Sequence, residues 1–349
     1  MPPVIEVAAA LTWNTVRSFW GDHKLVKIDA HIHYDGDHPD CVAVFERLDV
    51  KLLNVCVAST ARGRRWREQA EGFRMLAQTH PQTYAWCTAF DVPDFGDPHY
   101  MERVLAALEQ DFAAGAVACK IWKNIGMEIR KPTDEFLMVD DPFFDPLYEY
   151  LTSVNKPLLM HTGEPLACWQ PLDEDNSHRS YYAAHPEWYM YDKPEYPSHH
   201  EIIAARDRML ARHPNLKVVG AHLGSLEYDV AEIAERLDRY PNFAVDTSAR
   251  LHNLAGQERE AVRQFFVAYQ DRILFGTDIV QRQAQSAVSE SERQKNLSSV
   301  QNRYQTEYAY YETGERVLVR GREVQGLALP PAVLEKFYRI NAQRWYPGV

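Results

Sequence analysis

Leu25-Val26-Lys27-Ile28-Asp29-Ala30-His31-Ile32-His33 is the stretch on which the fold turns. It reads as an apolar strand that ends in two histidines. Side chains two residues apart lie on the same face of a strand, so His31 and His33 project together from its C-terminal end. Two neutral imidazoles placed this way make half of a divalent-metal site. A pair of histidines on a surface strand would look the same. The weight of the motif therefore rests on what recurs downstream.

Eight short apolar runs recur along the chain, at 24–33, 51–57, 83–90, 116–122, 157–161, 216–222, 242–247 and 272–278. Helical patterns separate them. Asp97-Pro98 and Asp141-Pro142 each read as an N-cap followed by proline at the first helical position, and the first of these helices stops at Gly115. Ser198 with Glu201 forms a capping box opening a helix over 201–212. A last helical pattern lies near 331–345. Eight strands alternating with helices predict an α/β fold with a parallel sheet and right-handed crossovers, closing into a distorted (β/α)8 TIM barrel. A doubly wound open sheet is the rival, but no Gly-rich phosphate turn follows the first strand. With no linker or repeat, residues 1–349 read as one domain. Two segments exceed ordinary loop length, 162–197 after strand 5 and 281–313 after strand 8. Such loops act as lids or binding elements, although the second also fits a helical excursion on the barrel rim.

Composition narrows the class. Hydrophobic residues make up 46% of 349, enough for a large core. The net charge of −11, without a basic block, argues against nucleic acid. Cys41, Cys56, Cys87, Cys119 and Cys168 are scattered and without CxxC spacing, which suits reduced core thiols. The N-terminus lacks a basic stretch, and Glu6 interrupts its apolar run. No segment reaches membrane-spanning length, so the expectation is a soluble, cytoplasmic protein with no membrane partner. A homo-oligomer is compatible with all of this.

Several strands end in a residue able to ligate metal or move a proton: His31 and His33, Lys120, His161, His222, Asp246 and Asp278. In a barrel these C-terminal strand ends converge on one mouth. Burying so many polar groups around one axis is costly unless something binds them.

The pieces Asp29-Ala30-His31-Ile32-His33, Met160-His161-Thr162-Gly163-Glu164-Pro165, Ala221-His222-Leu223-Gly224-Ser225, Val245-Asp246-Thr247-Ser248 and Leu274-Phe275-Gly276-Thr277-Asp278 resemble the amidohydrolase superfamily. The likeness is greatest to the amidohydrolase-related branch that includes aminocarboxymuconate-semialdehyde decarboxylase-like enzymes. That resemblance implies a metal held by His31, His33, His161 and Asp278. It also implies His222 as an acid-base group, or as a ligand if two metals bind. The branch contains hydrolases, lactonases, hydratases and decarboxylases, so the resemblance does not name a substrate.

The ligand types suit Zn²⁺ first, with Mn²⁺ or Fe²⁺ as alternatives, as one or two ions. Asp278 can both ligate and accept a proton from water. Lys120 reads three ways: a carbamate bridging two metals, a cation for a substrate carboxylate, or a structural partner. Lys123 should face away from it by strand parity, unless the strand has already ended. Asp246 is expected to fix a histidine or a loop. Arg250 could clamp a substrate anion or sit in a surface ion pair. Glu164 and Trp122 are candidate substrate contacts. Trp122, Trp169, Tyr181, Tyr182, Trp188, Tyr189 and Tyr191 could line a lid. His199 and His200 are expected to be exposed; His38, near the first-strand loop, has no assignment but could reach the mouth. His23, His178 and His185 have no assignment.

The leading reading is metal-dependent hydrolysis of a C–O or C–N bond (amide, lactone or ester) in a small organic substrate, with Asp278 as base and His222 assisting. The alternative is a metal-dependent decarboxylase or lyase acting on an aromatic or unsaturated carboxylic acid. A non-catalytic barrel does not require so many ionisable groups at one mouth.

Overall fold

The structure, a computed structural model, describes residues 25–281 and 283–349. The readings at Glu6, at His23 and of a strand start at Lys24 lie outside the described residues. Among the described residues, eight barrel strands, the last followed by a short β9, alternate with eight main helices. They run β1 (Lys27–Tyr34), α1 (Pro39–Arg47), β2 (Val50–Val55), α2 (Trp66–Thr79), β3 (Tyr84–Ala89), α3 (Tyr100–Ala113), β4 (Cys119–Ile121) and α4 (Asp145–Ser153). The second half is β5 (Leu158–Met160), α5 (His199–Arg212), β6 (Val218–Gly220), α6 (Val230–Arg239), β7 (Phe243–Asp246), α7 (Arg259–Ala268), β8 (Ile273–Leu274), β9 (Val280–Gln281) and α8 (Glu290–Glu312). The strands pair in parallel in the order β8-β7-β6-β5-β4-β3-β2-β1-β9. β9 continues the line of β8 and pairs with β1 at His33 and Tyr34. Ala30 N also donates to Phe275 O and Asp278 N to His31 O, each at 2.8 Å. The sheet thereby closes into the barrel that the strand alternation predicts.

Two cores follow from strand parity. Ile28, Ala30, Leu53, Val55, Ala85, Val219 and Leu274 fill the barrel interior. Ile32, Leu52, Trp86, Val218 and Val245 pack outward under the helices. β1 changes parity partway, because its register to β2 shifts between Asp29 and Ile32. Ala30 and His31 are neighbours, yet both belong to the inner side of the barrel. The shift separates Asp29 from the two histidines. Its carboxylate instead accepts from Thr277 Oγ1 at 2.6 Å and Tyr304 OH at 2.7 Å, against α8.

Within 281–313, Glu290–Glu312 forms the eighth barrel helix, the helical alternative that the sequence also offered. Its buried face is written in tyrosine and paired charge (Arg293, Tyr304, Glu307, Tyr308, Tyr311, Glu312), so its amphipathic pattern is faint in sequence. The 162–197 segment stays a true excursion, containing only short helical turns. Asp141 caps as expected, accepting from Phe143 N at 2.9 Å. The Ser198–Glu201 capping box is also present. Asp97 differs: it accepts from His99 N at 2.9 Å in a turn before α3, and the helix begins three residues later.

Beyond α8, a hairpin of β10 (Arg316–Val319) and β11 (Arg322–Gln325) precedes α9 (Pro331–Glu335) and α10 (Asn341–Trp345). Ala342, Trp345 and Tyr346 join the inner core, and Asn341 Nδ2 donates to Ile273 O at 2.8 Å. The C-terminus thus plugs the barrel at the end where β8 begins, opposite the strand ends that carry the polar groups. All five cysteines are buried and free. Among the described residues, no helix is long and apolar enough to cross a membrane.

Glu307 of α8 supplies a stability test. It is fully buried, with Oε1 accepting from Arg303 Nε at 2.8 Å and Oε2 unpartnered. Burial pushes its carboxyl up to about 7, against the pull of Arg303. An acid whose folded pKa exceeds its unfolded value holds more protons when folded, so stability falls as pH rises through that window. Glu307→Gln is expected to gain roughly 2 kcal/mol over the wild type between about pH 5 and about pH 8 in urea unfolding. Parallel pH profiles for the two proteins would show that Glu307 does not titrate there.

Candidate active site

Hydrogen bonds set the tautomers of three histidines at the barrel mouth. His31 Nδ1 lies 2.9 Å from Asp246 Oδ2, His33 Nδ1 lies 2.6 Å from Val55 O, and His222 Nδ1 lies 2.8 Å from Ser248 O. Each acceptor is a carboxylate or a carbonyl, so each Nδ1 carries the proton and each Nε2 keeps its lone pair. Burial lowers the imidazolium pKa of His31, and that of His161 and His222 to well below the usual value, so these three rings are neutral. Neutral imidazoles with a free Nε2 are ligands or bases, not cations.

Asp278 completes the cluster. Its Oδ1 lies 3.3 Å from His33 Nε2 and 4.0 Å from His31 Nε2. Burial opposes its charge, but the close imidazoles of His33, His222 and His31 hold its carboxyl well below the usual carboxylate range. His31, His33 and Asp278 offer ligand atoms within 4.8 Å of one another. His161 adds a buried Nε2 with no hydrogen-bond partner, its ring centroid 4.3 Å from that of His222. A buried, unpartnered imidazole nitrogen beside such a cluster fits a bound divalent ion. The structure therefore brings together all four residues that the resemblance implies as metal ligands, with His222 beside them.

Backbone geometry aims these groups. The exits of β5, β6, β7 and β8 each turn left-handed at or near a site residue. The φ angles are +71° at Gly163, +57° at His222, +56° at Ala249 and +54° at Asp278. Such conformations cost of order 1–3 kcal/mol for a residue with a Cβ and persist where the surroundings hold them. Asp246 is one such support: its Oδ1 accepts from His222 N at 2.9 Å and Ser248 N at 3.1 Å. The buried Arg206 guanidinium is another, donating to Gly224 O just past His222. Gly276 allows β8 to approach, since a Cβ there would lie 3.2 Å from His31 Cβ.

A cavity of about 350 Å³ opens onto the cluster, lined in part by Lys123, His161, Glu164, Tyr181, His222, Arg250, Asp278 and Arg320. Glu164 and Arg250 both line it, and of the two readings left open for Arg250 the surface ion pair is not seen, since the residue is buried. Lys123 follows the exception to its parity argument: β4 has already ended at Ile121, and Lys123 lines the cavity in a buried ion pair with Glu164. Its ammonium also sits 4.0 Å over the Trp188 ring, and burial lowers it to about 7. Lys120 and Trp122 are not on this cavity wall. They line a separate void of about 10 Å³. Lys120 Nζ lies 3.3 Å from His31 Nε2, and burial lowers its pKa to about 8.

Other expectations change as well. Of the aromatic residues expected in a lid, Tyr181 lines the cavity, whereas Tyr182, Trp169, Trp188 and Tyr189 form a satellite core under the 162–197 segment. His199 is buried rather than exposed, with its Nε2 2.8 Å from Ser225 O. His200 is exposed as expected. His38 caps α1, accepting from Asp40 N at 3.2 Å, and does not line the cavity. Arg320 was not anticipated. Its signal is the Arg320-Gly321 turn between two short alternating strands, a two-residue hairpin with φ of +49° and +81°.

Comparison with known proteins agrees with this architecture. A sequence model of the amidohydrolase family matches residues 28–348. No curated protein matches. Among solved structures, a 2,6-dihydroxybenzoate decarboxylase in complex with 2,6-dihydroxybenzoate is 17% identical with a TM-score of 0.53, over 88% of this chain and 87% of that one. A 4-oxalomesaconate hydratase from Rhodopseudomonas palustris is 14% identical with a TM-score of 0.51, over 92% of this chain and 96% of that one. Likeness at this level of identity speaks for the shared barrel. With the family match running along nearly the whole barrel, the chain belongs to the amidohydrolase family and is an enzyme of that metal-dependent superfamily.

Proposed function

We propose that this protein hydrolyses a C–O or C–N bond, in an amide, lactone or ester of a small organic substrate. The observation that carries the reading is the position of Asp278. Its carboxylate touches the histidine cluster through His33 and also lines the cavity. A group held at the cluster and a substrate in the cavity would share that carboxylate. A divalent ion, Zn²⁺ first with Mn²⁺ or Fe²⁺ as alternatives, would be held by His31, His33, His161 and Asp278, acidify water and polarise the scissile carbonyl.

The residues divide the remaining work. Asp278, ionised and on the cavity wall, accepts the proton of the attacking water. The water oxygen bonds to the carbonyl carbon as the C–O or C–N bond breaks. His222, with its Nδ1 proton committed to Ser248 O, presents an acceptor Nε2 to the cavity and relays the proton to the leaving group. The Lys123–Glu164 pair and Arg250 orient the substrate. Lys120 lies against His31 rather than on the cavity wall, so its ammonium serves the cluster and not the substrate.

The test joins metal analysis with turnover in ¹⁸O-water on a panel of lactones, aryl esters, amides and aromatic carboxylic acids. One ion per chain and solvent oxygen in the product acid are expected. Two ions with a mass gain of CO₂ on Lys120 would replace the ammonium with a carbamate. Release of CO₂ from an aromatic acid, with solvent hydrogen and no solvent oxygen in the aromatic product, would overturn hydrolysis in favour of decarboxylation.

A further inference from the structure

One wall of the cavity is built from three segments far apart in sequence. Arg250 follows β7, His178 comes from the 162–197 excursion, and Arg320 sits at the tip of the β10–β11 hairpin; His252, two residues after Arg250, does not itself line the cavity. The hairpin is tied to the excursion, since Arg320 Nη1 donates to Ser177 O at 3.5 Å. Arg320 is exposed at the rim, while Arg250 and His178 are each only 7% exposed. The wall therefore runs from solvent inward toward His222.

What marks this wall is polar capacity left unused. Among the described residues, neither Arg250 nor Arg320 makes an ion pair; Arg250 Nη1 donates to its neighbour's carbonyl, Ala249 O, at 3.1 Å. Arg250 Nε, His178 Nε2 and His252 Nε2 are buried with no hydrogen-bond partner. Glu227 feels the field of Arg250 but makes no ion pair with it: Oε1 accepts from Leu166 N at 3.0 Å, and the buried Oε2 has no hydrogen-bond partner. The His178 and His252 rings lie 5.1 Å apart. Burial first, and then the two arginines, lower His178 to about 3. His252 is likewise lowered, to about 2. Both rings are therefore neutral and able to donate through one nitrogen. Like charges facing one another, together with three unsatisfied buried nitrogens, are costly unless an anion settles among them.

We propose that Arg320, delivered by the hairpin, completes with Arg250 and His178 an anion-binding subsite, with the His252 ring packed against His178, and that the substrate carries a free carboxylate besides the bond that reacts. A planar guanidinium takes a carboxylate through two parallel N–H bonds, and the imidazoles supply further donors. The separation of this carboxylate from the reacting bond rests on the hydrolytic reading. Binding of an anion at the wall does not. The hairpin is a specificity element: it lies outside the eight βα units and brings to the mouth a charge that the barrel itself does not provide.

Equilibrium titration calorimetry on the metal-loaded protein separates the two ideas, because it needs no turnover. The probes are the α,ω-dicarboxylates from succinate to adipate, each set against the monocarboxylate of equal length. The monocarboxylate controls for binding at the metal cluster. At least one dicarboxylate is expected to bind about tenfold or more tightly than its monocarboxylate partner. Arg320→Ala, at an exposed turn away from the core, is expected to erase that preference to within about twofold. No preference anywhere in the series would overturn the proposal, as would a preference that survives in Arg320→Ala. Inorganic phosphate binding more tightly than every dicarboxylate would also overturn it, by reassigning the subsite to a phosphoryl group.

Discussion

Asp278→Asn is expected to lower kcat by about a thousandfold while leaving the barrel folded, within the range that a positioned general base contributes. The substitution removes the proton acceptor and one anionic donor of the histidine cluster while keeping the side chain's shape. Asparagine matches aspartate in size and tolerates the left-handed backbone that Asp278 adopts at φ +54°. An amide oxygen can still face His33 Nε2, where Oδ1 now lies 3.3 Å away. Measuring kcat on the best substrate beside metal content divides the effect: a thousandfold loss with metal retained identifies the base. Full activity would remove Asp278 from that role.

Asp246→Asn is expected to weaken metal binding by about 10- to 100-fold, the usual consequence of disturbing the partner of a ligating histidine. Asp246 is fully buried and only accepts hydrogen bonds. Oδ2 faces His31 Nδ1 at 2.9 Å, and Oδ1 faces His222 N at 2.9 Å and Ser248 N at 3.1 Å. Asparagine has one acceptor oxygen, and the backbone donors on the Oδ1 side claim it. Its NH₂ then points at His31 Nδ1. To accept that donor, His31 must shift its proton to Nε2, the atom needed for ligation. Chelator competition reads the affinity directly. An unchanged affinity would mean that His31 does not bind through Nε2.

The legible part of the site consists of residues whose strand parity and position are local properties. His31, His33, His161, His222 and Asp278 each end an apolar run, and the barrel brings them together as that reading implies. The misreadings share one cause, which is that a strand or helix behaved differently from its average. β4 stops after three residues, the exception that the parity argument for Lys123 left open, so Lys123 turns into the cavity. The segment that became α8 buries tyrosines and paired charges, which a hydropathy pattern counts as polar. His199 lies in the first turn of a capped helix, but α5 packs that turn against the β6 exit and its Nε2 meets Ser225 O.

The order of the strands and the chemical identity of their last residues are one-dimensional, so the sequence alone determined the barrel, the mouth and the ligand types. Which nitrogen of each histidine is free depends on acceptors that arrive from other strands: Asp246 for His31, Val55 O for His33 and Ser248 O for His222. Which cations face the substrate depends on where β4 ends and on a hairpin some 200 residues further along the chain. Those are contacts between segments, set only when the sheet closes and the long excursion packs over it. Composition and periodicity carry no record of such pairings, and the tertiary structure alone decided them.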